Sequence, residues 1–120
     1  MIHITAVELE KYSDPKNYQS MGNGVYEDLL QGEYVTTLRF ELEEGEDSQY
    51  PLEDILDEFM VYCTHHIIET NDNGKRFLEA EIADESHYPE SLESLNKVAS
   101  LAGKHVYNKQ VGDSIHLIIE

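Results

Sequence analysis

The stretch "TTLRFELE", residues 36–43, decides the predicted fold because it has a clear two-residue period. Apolar and charged side chains alternate along its last six positions, which are Leu38, Arg39, Phe40, Glu41, Leu42 and Glu43. A period of two is typical of a strand that buries one face and exposes the other. The stretch therefore predicts a strand with an apolar inner face and a largely acidic outer face.

The segment 76–82 has the same alternation and predicts a second strand. Leu78, Ala80 and Ile82 are predicted to point inward, and Phe77, Glu79 and Glu81 are predicted to point outward. The sequence "NDNG" at 71–74 is a strong turn signal, which joins this strand to an apolar one at 65–70. A second turn, "VGDS" at 111–114, predicts a C-terminal hairpin of 105–110 with 115–119.

Two helices are predicted from apolar residues at helical spacing. The stripe of the first helix, which follows Pro51, consists of Leu52, Ile55, Leu56, Phe59, Met60 and Cys63. The second helix starts near Pro89, and its stripe consists of Leu92, Leu95, Val98, Ala99 and Ala102. Proline suits a first helical turn, and Gly103 is expected to stop the second helix.

Three pairs of similar segments follow each other in the same order and indicate an internal duplication. "TLRFELEE" resembles "KRFLEAEIAD", "DSQYPLEDIL" resembles "ESHYPESLESL", and "HHIIE" at 65–69 resembles "HLIIE" at 116–120. The chain from residue 34 onward then reads strand, helix, strand, strand, helix, strand. This order predicts an α+β, ferredoxin-like β-α-β-β-α-β core, with an antiparallel sheet and both helices on one face.

The first 33 residues are less regular. "IHITAVEL" at 2–9 predicts an extra strand, and "SDPKNYQSMGNG" at 13–24 predicts a loop. "VYEDLL" at 25–30 fits either a helical turn or a strand that pairs with "EYVTTL" through a turn at Gln31 and Gly32. We expect one domain over 1–120, in which 1–33 is an N-terminal extension of a duplicated core at 34–120.

The charge is the most unusual property of the composition. The chain has 25 acidic and 8 basic residues, a formal net charge of −17. Such a field repels nucleic acids and anionic membranes and speeds encounters with cationic partners. No stretch of this sequence resembles a signal peptide or a membrane span, and the single Cys63 excludes an internal disulfide. We expect a cytoplasmic protein that binds neither membranes nor nucleic acid directly.

The predicted architecture gathers the acids into a candidate partner-binding site. Pleat alternation turns four glutamates of the two central strands to one open sheet face, and a second acidic stripe lies on the first helix. The first set is Glu41, Glu43, Glu79 and Glu81, and the second is Asp54, Asp57 and Glu58. Like charges opposed across strands destabilise a sheet, so a local structural role does not explain the first set.

No catalytic, cofactor or metal site is predicted. His65 and His66 are adjacent in a strand, so they point to opposite faces and do not converge on one ion. Cys63 falls on the apolar stripe of the first helix, which makes it a core residue and not a nucleophile. The chain lacks a Gly-rich phosphate loop and a calcium-binding loop.

We expect a non-enzymatic protein that blocks a basic, nucleic-acid-binding surface of a partner, such as a nuclease. Small size, strong acidity and no catalytic motif resemble the profile of immunity proteins and DNA-mimic inhibitors, although no motif of either group is present. Two alternatives stay open. One is a regulatory domain that senses a small molecule or a metal and forms a homodimer through its sheet edges, and the other is a generic domain whose acidity serves solubility.

Overall fold

The computed structural model describes residues 2–41, 62–70, 76–85 and 88–120, with only the backbone described at 62–70 and at Arg76. These residues form eight strands, a short 3-10 helix at Glu10–Ser13 and one α-helix, α1, at Pro89–Ala99. The strands are β1 Ile2–Ala6, β2 Tyr18–Gly22, β3 Val25–Asp28, β4 Glu33–Glu41, β5 Tyr62–Thr70, β6 Arg76–Glu85, β7 His105–Val111 and β8 Ser114–Ile119.

All strand pairs of this sheet are antiparallel, and β4 lies at its centre. Along one edge β4 pairs with β6 over its whole length, from Glu33 opposite Glu85 to Glu41 opposite Phe77. The other edge of β4 is shared, because β3 pairs with its first half and β1 with its second half. From there the sheet continues to β2 on one side and to β7 and β8 on the other.

The main core lies on the face of the sheet that α1 covers. The helix contacts β3, β4 and β6. Pleat alternation supplies the buried side chains, because every second residue of β1, β4 and β6 points toward the helix. Those that are at most 2% exposed include Ile2, Ile4, Leu38, Phe40, Leu78, Ala80, Ile82, Leu95, Val98 and Val106.

The opposite, open face of the sheet carries a second and smaller apolar cluster. Tyr12, on the 3-10 helix, packs against Val35 of β4 and Ala83 of β6, and all three are buried. The Tyr12 ring stacks on Tyr26 at a centroid distance of 4.4 Å and meets Tyr18 edge to face at 5.1 Å. The segment before β2 therefore covers one part of the open face.

The ferredoxin-like fold predicted from the sequence is wrong. The described residues form an antiparallel sheet with one α-helix, and a β-α-β-β-α-β core with two helices is not shown. β1 lies between β4 and β7 and places Ile2 and Ile4 in the main core. The first 33 residues thus supply three strands of the same sheet. The first helix predicted after Pro51 lies largely outside the described residues, but its last position, Cys63, belongs to β5.

Several local predictions are confirmed. β4 and β6 are neighbours, β5 pairs with β6, and β7 with β8 forms the C-terminal hairpin. "VYEDLL" takes the strand alternative, because β3 pairs with β4 through a turn at residues 29–32. The Asp28 carboxylate accepts hydrogen bonds from the backbone N–H groups of Leu30 and Gln31, and Gly32 has the positive φ of 69° that the turn requires.

The described helix is too short and too polar to span a membrane.

We predict that Leu78→Ala lowers the free energy of unfolding by about 2–5 kcal/mol, because the truncated side chain leaves a cavity in the core. Leu78 is fully buried at the centre of β6. The matched control is Leu30→Ala, whose side chain is 72% exposed in the turn before β4. It should change stability by less than about 0.5 kcal/mol. Urea unfolding measures both, and equal effects would contradict the assignment of the core.

Candidate partner-binding surface

The structure places three of the four predicted sheet glutamates on the open face. Glu79 of β6 lies opposite Arg39 of β4, and Glu81 lies opposite Thr37. Glu41 lies near the end of β4, opposite Phe77. Direct cross-strand partners share a face, so all of these side chains point away from α1, and the three glutamates are half-buried. Glu43 lies outside the described residues.

Two of these glutamates form ion pairs, so the predicted acidic set on the open face is partly compensated. The Arg39 guanidinium donates to the Glu79 carboxylate at 3.0 Å and also lies over the Phe77 ring at 4.6 Å. The Lys11 ammonium lies 2.7 Å from a Glu81 carboxylate oxygen. The first pair follows from the β4–β6 register. The second depends on the 3-10 helix, which the sequence predicted only as part of an irregular region.

The 3-10 helix holds Lys11 in place through the tyrosine cluster. Tyr12 shares a hydrogen bond of 2.6 Å with the Thr37 hydroxyl in the buried layer above β4. Burial raises the pKa of Tyr12 far above its usual range, so this phenol stays protonated at neutral pH. Burial opposes the charge of Lys11, but hydrogen bonding and attraction to Glu81, with help from Tyr18, outweigh it and raise the pKa of Lys11. The centre of the open face is thus internally compensated.

A row of carboxylates that was not predicted from the sequence lies at one end of the open face. Asp28 of β3 lies opposite Glu33 of β4, and Glu33 lies opposite Glu85 of β6. Burial, together with repulsion from Asp28, Glu81 and Glu85, raises the pKa of Glu33. The β4–β6 register brings Glu33 to Glu85, and the β3–β4 register, which the sequence left undecided, adds Asp28.

The members of this row differ in their local roles. Asp28 is buried and caps the turn before β4, with its carboxylate oxygen 3.0 Å from the Leu30 nitrogen. Glu85 is exposed at the end of β6, and Glu33 is half-buried between the two. Asp28 therefore has a structural role, whereas Glu33 and Glu85 present their charge toward solvent.

The remaining predicted acids, Asp54, Asp57 and Glu58, lie outside the described residues, so their binding role stays a prediction. Their segment is nevertheless the most acidic part of the sequence. Residues 42–61 contain eight acidic residues and no basic residue.

In the described ranges, no three His, Cys, Asp or Glu side chains form a group that could hold a metal ion.

We predict that Glu33→Gln stabilises the folded chain at pH 7. A raised pKa means that the folded state holds the Glu33 proton more tightly than the unfolded state does. Stability is therefore lost as pH rises from the ordinary value of 4.5 through the pKa of the folded state. The gain from Glu33→Gln should be complete above that range and absent below pH 4.5. Urea unfolding as a function of pH measures it.

The control is Glu90→Gln, which removes an exposed carboxylate from the first turn of α1. A carboxylate at this position favours the helix through its dipole, so the control should be neutral or slightly destabilising at pH 7. A Glu33→Gln variant that is less stable than the native chain at pH 7 would contradict the repulsion.

Comparisons of this chain with protein-family models, with curated proteins and with solved structures found no match.

Proposed function

We propose that this chain is a non-enzymatic binding protein that blocks a basic, nucleic-acid-binding surface of a partner, such as a nuclease. The observation that carries the proposal is the carboxylate row, where Glu33 is repelled by Asp28, Glu81 and Glu85. Like charges opposed across strands weaken a sheet, so the row has a cost in the free chain. A cationic surface that approaches this end of the sheet removes the repulsion.

The geometry of the row suits a site that normally receives phosphates. Directly opposed residues of an antiparallel sheet have Cβ atoms about 4.5–5.5 Å apart, so Glu33 of β4 and Glu85 of β6 present two carboxylates at a short interval. Duplex DNA also presents negative charges a few ångströms apart. A groove with lysine and arginine side chains placed for phosphates can therefore receive Glu33 and Glu85 in the same way.

The structure changes which acids we propose as the main contacts. Glu79 and Glu81 are already paired with Arg39 and Lys11, so they have less charge to offer a partner. Glu33 and Glu85 take their place at one end of the open face. At the other end, Glu41 leads into the acidic segment 42–61, which contains Glu43, Asp54, Asp57 and Glu58.

Long-range attraction is the second contribution of the charge. A net charge of −17 raises the rate of encounter with a cationic protein, and electrostatic steering reaches about 10⁸–10⁹ M⁻¹s⁻¹ at low salt. The rate falls as salt screens the field. We propose that the chain acts in the cytoplasm, because nucleic-acid enzymes work there and a chain with a single cysteine suits its reducing conditions.

The proposal predicts salt-sensitive inhibition of a basic nuclease. In a panel of purified cationic nucleases, the chain should inhibit DNA cleavage by at least one enzyme at about 50 mM salt. Inhibition should weaken about tenfold or more at about 200 mM, because the complex relies on charge. Stopped-flow association should show the same salt dependence in the on-rate.

Matched double variants test which acids make the contact. Glu33→Gln with Glu85→Gln removes two carboxylates from the row, and Glu90→Gln with Glu93→Gln removes two from the exposed side of α1. The first pair should weaken inhibition severalfold more than the second, although both change the net charge equally. Equal effects, or inhibition that does not respond to salt, would contradict the proposed surface.

A further inference from the structure

Two histidines are in direct contact across neighbouring strands. His3 of β1 and His105 of β7 occupy directly opposed register positions, and their ring centroids are 4.4 Å apart with an interplanar angle of 88°. Both rings lie on the open face, because Ile2, Ile4 and Val106 on either side of them are buried in the main core. His3 is exposed and His105 is half-buried, so a small solute can reach the pair from solvent.

The backbone hydrogen bonds explain why the two side chains are so close. The N–H of His105 donates to the carbonyl of Glu120 at 2.7 Å, and the His105 carbonyl accepts from the Glu120 N–H at 2.9 Å. Both backbone groups of His105 therefore face β8 and not β1. The His3–His105 pair is thus a non-hydrogen-bonded pair, the type in which opposed side chains approach most closely in an antiparallel sheet.

A carboxylate flanks each imidazole. Glu41 of β4 lies opposite His3, and Glu120 pairs with His105 through the backbone. The four residues form one row across four neighbouring segments of the sheet, in the order acid, histidine, histidine, acid. The Tyr107 hydroxyl donates to Glu120 Oε1 at 2.8 Å, which holds that carboxylate on the same face as His105.

We propose that His3 and His105 together bind one divalent transition-metal ion, such as Zn²⁺, Ni²⁺ or Cu²⁺. Imidazole nitrogen is a preferred ligand of these ions, with a Zn–N bond of about 2.0–2.1 Å. Two imidazoles bound to one ion at 90–110° have ring centres roughly 4.5–5.2 Å apart, as that bond length requires. The observed 4.4 Å is close to the lower end of this range, so the two strands bring the rings within reach of one ion, and rotation of the side chains would aim a nitrogen of each ring at it.

Water would fill the remaining coordination positions of the ion, because the described residues contain no group of three or more His, Cys, Asp or Glu side chains that could hold a metal ion. Glu41 and Glu120 compensate the charge of the bound ion from either side, and the negative field of the whole chain raises the local concentration of cations. The bound ion joins β1 to β7, which are connected by only two register pairs. Metal binding therefore stabilises the attachment of β1 to the sheet.

Calorimetric titration of the whole chain with ZnCl₂ or NiCl₂ tests this site. We expect one ion per chain, and we expect His3→Gln and His105→Gln each to weaken binding at least about tenfold, since even outer-shell changes at metal sites cost 10–100-fold. The matched control is His116→Gln, an exposed histidine on β8 opposite Lys109, which should bind like the native chain. MgCl₂ should not bind there, because Mg²⁺ prefers oxygen ligands.

A second measurement separates binding from folding. Addition of Zn²⁺ should shift the ring signals of His3 and His105 in the NMR spectrum and raise the melting temperature, and EDTA should reverse both effects. The backbone spectra of the variants report whether they fold. The proposal is overturned if the native chain takes up no ion, or if the His3→Gln/His105→Gln double variant, folded, binds as tightly as the native chain. Neither outcome bears on the acidic row of Glu33 and Glu85, which lies at the other end of β4.

Discussion

The fold depends on the pairing of β4 with β6. Their nine-residue ladder, from Glu33↔Glu85 to Glu41↔Phe77, sets two alternating patterns side by side. Leu38, Phe40, Leu78 and Ile82 then bury one face under α1, while the charged residues between them are forced to the other face. A slip of one residue would turn these apolar side chains to solvent and the glutamates inward, so burial fixes the register strongly. The register in turn determines which charges meet on the open face.

Electrostatics on that face follows from the register and not from the number of charges. Arg39 meets Glu79 because the two are opposed, and the Tyr12 cluster brings Lys11 to Glu81. At the end of the same ladder, Glu33 meets only other acids among its cross-strand partners, Asp28 and Glu85. One strand pair therefore contains a compensated centre and an end where burial, together with repulsion from other carboxylates, raises the pKa of Glu33. A binding partner with a basic groove would gain most at this end.

The sequence predicted what a two-residue period can predict. The alternation at 36–43 and 76–82 identified the strands and their buried sides, and the turn signals identified both hairpins. That the first two strands are neighbours was inferred from the ferredoxin-like core, so this pairing was predicted from a topology that is wrong. It did not place β1, because Ile2 and Ile4 indicate a buried face but not the strands that β1 lies between. Nor did it locate the 3-10 helix, whose contacts through Tyr12 and Lys11 depend on side chains distant in the sequence. The overall topology and the acidic row were missed for the same reason.

The central claim is that Glu33 lies in a repulsive carboxylate row that a cationic surface relieves. The most direct test is a ¹³C NMR titration of the Glu33 side-chain carboxyl, first in the free chain and then with polylysine as a model cationic surface. Our account predicts a pKa above the ordinary 4.5 in the free chain and a clear decrease when the polycation is bound. A pKa at or below 4.5 in the free chain, or no change with polylysine, would contradict it.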